Sequence, residues 1–194
     1  MKDELNLDKD SAILLERLRS LHHKIREHTK RKYNRSNPFN EDLFDWKEKG
    51  KFYGSKNTTI YDSATIMGNV EIGDNVWIGP FCFIDGTGGL NIGGFCDIAA
   101  GVKIYTHDTI RRCLSGGNHG IEYAPVSIGD CSFIGSDTVI LKGVKIGKHC
   151  LVAANSLVNK SFHDNSIIAG IPAKKIGEVV IKGDKIHLNY YREK

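Results

Sequence analysis

The residue best suited to chemistry is His107, in the string Ile104-Tyr105-Thr106-His107-Asp108-Thr109. An imidazole, with an ordinary pKa of about 6.5, can take up and release a proton near neutral pH. A carboxylate on its second ring nitrogen would fix the tautomer, as in hydrolytic triads. Two carboxylates are candidates. Asp108 follows directly in sequence, and Asp85 stands in the glycine-rich string DGTGGLN, where it could orient His107 or bind an acceptor hydroxyl. Each has a plain structural reading as well: a solvated loop histidine, a loop-capping Asp108, and a turn around Gly86, Gly88 and Gly89. Arg111, Arg112, His119 and Tyr123 share the segment after His107. They read either as solvated side chains or as the lining of an acceptor pocket in which the arginines receive a phosphate or carboxylate.

These residues sit at breaks in a regular pattern. Aliphatic anchors recur every six residues at Ile60, Ile66, Ile72, Ile78 and Ile84, then at Ile92, Ile98 and Ile104, and then at Ile128, Ile134, Ile140, Ile146, Val152 and Val158. Four residues after each comes a mostly small side chain, as at Ala64, Val76, Cys82, Cys96, Ser132, Thr138, Cys150 and Ser156. Gly commonly follows the anchor, as at Gly73, Gly79, Gly129 and Gly135. A six-residue period fits neither a helix nor a long alternating strand, so each hexad predicts a short strand and a turn, with three hexads to a coil. The anchors then fill an aliphatic column, and the glycines are expected to permit the turn conformations. Two interruptions break the period. DGTGGLN adds two residues between Ile84 and Ile92, and residues 105–125 carry no anchors. Insertions in repeat proteins map to loops on one face, so these are the places for a site.

The strings IGDNVWIG, IGDCSFIG and GVKIGKHCLVAANSLV, ending in AGIPAKKIG, resemble the hexapeptide-repeat acyltransferases, in particular the maltose, galactoside and polysaccharide O-acetyltransferase branch. The resemblance covers about residues 57–177. It implies a mainly β fold, a left-handed parallel β-helix with a helical N-terminal segment and an extruded loop, assembled as a homotrimer with active sites between subunits. The implied activity is acetyl transfer from acetyl-CoA to a saccharide or surface-polysaccharide acceptor, with His107 as general base. The thioester is already activated, so alignment and proton removal are the tasks left to the protein. By position, Ser136, Ala153, Ala154, Asn159 and Lys160 would meet the pantetheine and its phosphates, and Lys174 and Lys175 the nucleotide end. The sugar enzymes have a basic residue where Gly177 stands, and an acceptor-contacting asparagine without a clear counterpart here. N-acetylation of an amino sugar nucleotide would use the same base and donor. A zinc hydratase of the γ-carbonic-anhydrase kind shares the solenoid, but the spacing of His107 and His119 is not the one that family shows, and no metal is expected.

Residues 1–50 follow a different pattern. Leu14, Leu18, Leu21 and Ile25 lie at helical spacing after the candidate caps Asp10 and Ser11, which predicts one amphipathic helix ending before Asn37-Pro38. Its basic run from Arg19 to Arg35 is read as a solvated face covering one end of the β-helix. No interleaved aromatics are present to stack on bases, so nucleic acid is not an expected partner. Residues 178–194 predict a short strand pair about Gly183-Asp184. The net charge of +4 is modest, and no run reaches the roughly 18 apolar residues of a membrane span. Without an apolar core behind Lys2, the expected location is the cytoplasm. Five cysteines without paired metal spacing read as reduced thiols. Of these, Cys82, Cys96 and Cys150 are expected in the core, and Cys113 is not expected to act as a nucleophile.

Overall fold

One inward aliphatic side chain per hexad allows a chain to bury a continuous column while every strand stays short. The computed structural model describes residues 7–43, 46–53 and 56–191. It divides into two units, one up to residue 45 and one after it. The first six residues of the N-terminal segment, Lys2 among them, and the last three of the tail lie outside the described residues.

The second unit is mainly β, a parallel β-helix of about six turns. Its three faces are columns of stacked anchors. The first runs through Ile60, Ile78, Ile98, Ile134, Val152 and Ile168. The second runs through Ile66, Ile84, Ile104, Ile140 and Val158. The third runs through Ile72, Ile92, Ile128 and Ile146, and a bridge from Ile146 to Phe162 closes it. Most of these side chains are fully buried, with Ile66, Ile72 and Phe162 at the ends only partly so. The small residues behind the anchors are buried too, and their polar atoms are satisfied. Ser132 Oγ donates to Gly147 O at 3.0 Å, and Thr138 Oγ1 to Ala153 O at 3.1 Å.

The glycines serve a purpose other than the expected one. The left-handed backbone recurs three residues before the anchors, and there it is held mostly by other residue types, among them Asn75, Phe81, Phe95, Cys131, His149 and Asn155. Gly129, directly after its anchor, is not left-handed. A Cβ on it would stand 2.6 Å from the backbone nitrogen of Lys148 in the next coil. Glycine is required there by the close approach of stacked coils, not by the turn.

In the first unit, helix α1 (Lys9–Tyr33) begins earlier than the expected caps. Extended Asp8 is the N-cap, and its carboxylate accepts from Ser11 N at 2.8 Å, which puts Asp10 and Ser11 inside the first turn. The helix ends at left-handed Asn34, ahead of Asn37-Pro38. No residue of α1 is buried. A second helix, α2 (Phe39–Leu43), follows.

Helix α3 (Trp46–Lys51) departs from the expectation of a single segment over 1–50, because it belongs to the β-helical unit. Lys49 Nζ donates to the carbonyls of Asp62 at 2.9 Å and Ala64 at 2.6 Å. These groups lie in the first coil, which has no earlier coil to stack on. At the other end, the strand Ser166–Gly170 turns back into Ala173–Lys182, and that strand pairs with Lys185–Tyr190 about Gly183. The hairpin therefore starts ahead of residue 178, because antiparallel pairing covers the edge of the last coil.

Candidate active site

Both interruptions fall at one corner of the β-helix, between the second and third faces, in consecutive coils. Ile84 stacks on Ile104 and Ile92 on Ile128, so the widened corner after Ile84 lies against the point where the chain leaves the coil after Ile104. The extruded segment 105–125 is anchored at its root by a two-stranded ribbon, His107–Asp108 against Glu122–Tyr123. A fourth, short helix, α4 (Ile110–Leu114), follows the first of these strands.

Stacking brings Asp85 beneath His107. Asp85 Oδ2 lies 2.6 Å from His107 Nδ1, and the carboxylate is fully buried. Thr87 donates to Asp85 Oδ1 through both its backbone nitrogen at 2.9 Å and its hydroxyl at 2.7 Å. Thr106 donates to Oδ2 from its backbone nitrogen at 3.0 Å. Burial alone would raise the Asp85 pKa. The donors from Thr87, Thr106 and His107 outweigh it and hold the group down at about 2. A carboxylate held ionised fixes the imidazole with its proton on Nδ1. Thr87 Oγ1, whose own proton goes to Asp85, sits 2.9 Å from the same Nδ1 as an acceptor. Nε2 then carries the lone pair. It has no hydrogen-bond partner among the described residues, and the side chain is 32% exposed.

Asp108 does not reach the ring. Successive side chains of an extended strand point to opposite sides. Its oxygens accept from Ile110 N at 3.0 Å and pair with Lys142 Nζ at 3.1 Å, which together hold its pKa below the usual carboxylate range. Tyr123, the cross-strand partner of His107, places its ring 5.8 Å from the imidazole. Arg111 pairs with Glu122 at 3.0 Å, while Arg112 and His119 are exposed. Cys82, Cys96 and Cys150 are buried in the core, and Cys113 is exposed on α4. Among the described residues, no group of three or more His, Cys, Asp or Glu side chains is arranged to hold a metal.

The residues expected to meet a donor molecule fall into two places. Ser136 and Ala153-Ala154 stack at the corner between the first and second faces, where Asn155 N donates to Ser136 O at 2.9 Å. Lys174 and Lys175 lie beside them. Ala153 N donates to Ile168 O, and Ile168 pairs with Lys175 across the last strands. Lys174 is exposed, whereas Lys175 is bound to Glu178 at 2.6 Å. Asn159 and Lys160 are exposed one corner further on, with Lys160 Nζ 5.7 Å from the Phe162 ring centroid. That is the corner of His107, two coils along. Thr87, Thr106, Glu122 and Lys142 also belong to the site, although residue type gave no sign of them. Their one signal is phase, since each lies at the same corner in a neighbouring coil or at the root of the loop that leaves it.

A parallel hexad solenoid with one broken corner and a buried carboxylate on an imidazole defines a class, and the comparisons agree with it. Residues 125–160 match the family model described as bacterial transferase hexapeptide (six repeats). A Dictyostelium discoideum protein provisionally named an acetyltransferase is 32% identical over 143 residues, covering 69% of this chain and 73% of that one. A Saccharomyces cerevisiae protein, also provisionally named an acetyltransferase, is 37% identical over 140 residues, covering 72% of this chain and 58% of its own length. The structure of a maltose O-acetyltransferase from Clostridium difficile 630 superposes with a TM-score of 0.58 at 25% identity, covering 81% of this chain and 88% of that one. The chain belongs to the hexapeptide-repeat transferase family, and its solenoid is the left-handed parallel β-helix of that family. It spans little more than half the length of the yeast relative.

Proposed function

We propose that this protein is an acetyl-CoA-dependent O-acetyltransferase acting on a saccharide or surface-polysaccharide acceptor. The observation that carries the reading is the 2.6 Å contact between buried Asp85 and His107 Nδ1, which leaves Nε2 as a base. Nε2 takes the proton of an acceptor hydroxyl as its oxygen attacks the thioester carbonyl. The carbon–sulfur bond then breaks, and the imidazolium returns its proton to the departing thiolate. The Clostridium difficile structure, a maltose O-acetyltransferase, supports the choice of an oxygen acceptor. Ser136, Ala153, Ala154 and Lys174 are the residues we assign to the donor groove, with Asn159 and Lys160 at the phosphates; Lys175 would first have to leave Glu178.

The same reading includes a homotrimer, for which the outward-facing Val139 and Leu157, stacked in adjacent coils of the second face, supply an apolar pair. It also includes the cytoplasm, where the five free thiols would stay reduced. No helix among the described residues is long and apolar enough to cross a membrane.

The test is a panel of sugar and amino-sugar acceptors with acetyl-CoA, following thiol release, run beside His107→Ala. Turnover on hydroxyl acceptors that the variant lacks, with coenzyme A binding retained, is the expected result. Wild-type turnover by His107→Ala, or transfer confined to amines, would overturn the reading.

A further inference from the structure

Glu122 and Asp108 face each other directly across the ribbon at the root of the extruded loop. Like charges in opposed cross-strand positions destabilise a pairing. This pair also flanks the partners His107 and Tyr123, so its repulsion would act on the strand that presents the imidazole. The next coil supplies a cation at that point. Lys142 Nζ lies 2.6 Å from Glu122 Oε2 and 3.1 Å from Asp108 Oδ2, with its side chain only 22% exposed. The same coil holds the returning chain through Gly143 N, which donates to Ala124 O at 3.2 Å. Arg111 takes the other oxygen of Glu122 at 3.0 Å but is 72% exposed, a weaker and more screened partner.

We propose that Lys142 is a positioning residue for His107: it clamps the two acidic ends of the extruded loop and sets the charge around the imidazole. The inference rests on the reading of His107 as the base. Among the described residues, the charged and titratable groups on the elements that meet at the ribbon are Asp85 and Tyr123 at the ring itself, and Asp108 on its own strand, Glu122 from the returning strand, Arg111 from α4 and Lys142 from the next coil beyond it. Of these, Lys142 alone bridges both strands of the ribbon. Without it, Asp108 would lose its cation and Glu122 would keep only exposed Arg111, and the added negative charge one position along the ribbon from His107 would favour the imidazolium.

The experiment follows the His107 ring by NMR through a pH titration of the full chain, its signal assigned by its absence in His107→Ala. Lys142→Met is expected to raise the midpoint by about half a pH unit, the size of one screened charge in a water-rich site. Lys142→Arg is expected to leave it in place, and adding Glu122→Gln to Lys142→Met to bring it back. Should Lys142→Met fail to fold, Glu122→Gln alone is expected to lower the midpoint. A wild-type midpoint in Lys142→Met, an Arg variant that shifts as far as Met, or no fall in Glu122→Gln would overturn the proposal. The titration needs no acceptor, so failure of the clamp is distinguishable from failure of the catalytic reading, which His107→Ala turnover decides.

Discussion

Asp85 and His107 stand 22 positions apart in the chain and 2.6 Å apart in space, because the two-residue insertion after Ile84 widens the corner directly against the point where the chain leaves the coil. An amide in place of the carboxylate keeps the size but has one accepting oxygen: with that oxygen toward the Thr87 donors, its nitrogen faces Thr106 N and His107 Nδ1, can only donate there, and no longer fixes the proton on Nδ1. Asp85→Asn is therefore expected to lower turnover by a factor on the order of 100 to 10,000, with acetyl-CoA binding little changed. Steady-state kinetics beside equilibrium binding of coenzyme A checks this. A loss confined to binding would remove Asp85 from the mechanism.

Thr87 tests the same tautomer from the other side. Its hydroxyl donates to Asp85 and leaves its oxygen facing Nδ1. Thr87→Val keeps the shape and removes both contacts, while Thr87→Ser keeps the hydroxyl. The valine variant is expected to lose about tenfold in turnover and about 1 kcal/mol of stability, and the serine variant close to nothing. Equal losses in both would mean that the methyl group, not the hydroxyl, is what matters.

Asp85 also ties stability to pH. Its folded pKa of about 2 lies below the ordinary 3.8, so ionisation favours the folded state. The stabilisation is fully present above pH 3.8 and is lost as pH falls through 2. At roughly 1.4 kcal/mol per unit, the contribution is about 2 kcal/mol. Denaturant unfolding of the wild type and Asp85→Asn between pH 6 and 2 should give curves that converge toward the acid end by that amount. Parallel curves would show that another group carries the acid sensitivity.

The solenoid was legible because each hexad exposes one inward residue to counting, and Ile134 or Ile140 can be placed in the core without a structure. His107 was legible as the residue at the break. What could not be read was which carboxylate serves it, since Asp108 is nearer in sequence yet points to the other side of its strand. Asp85 is found only by noting that both breaks fall at the same corner of successive coils. Lys142 was hidden further. A lysine in a turn reads as solvated, and its partners Asp108 and Glu122 come from the coil before it, joined only when the loop closes on itself.

The glycines after the anchors carry the last prediction, because they separate two reasons for conserving space. If Gly129 served a turn, alanine would be tolerated wherever φ is ordinary. The structure instead puts a hypothetical Cβ 2.6 Å from Lys148 N and 2.7 Å from Gly147 C, both backbone atoms that cannot swing away. Gly129→Ala must then push two coils apart, at a cost of about 1 to 3 kcal/mol. Gly120, in the extruded segment, has open space within 4 Å of the same atom, and its alanine variant is expected to match the wild type within about 0.5 kcal/mol. Urea midpoints of the two variants decide the matter. A Gly129→Ala protein as stable as Gly120→Ala would mean that the coils at this corner are not in contact as described.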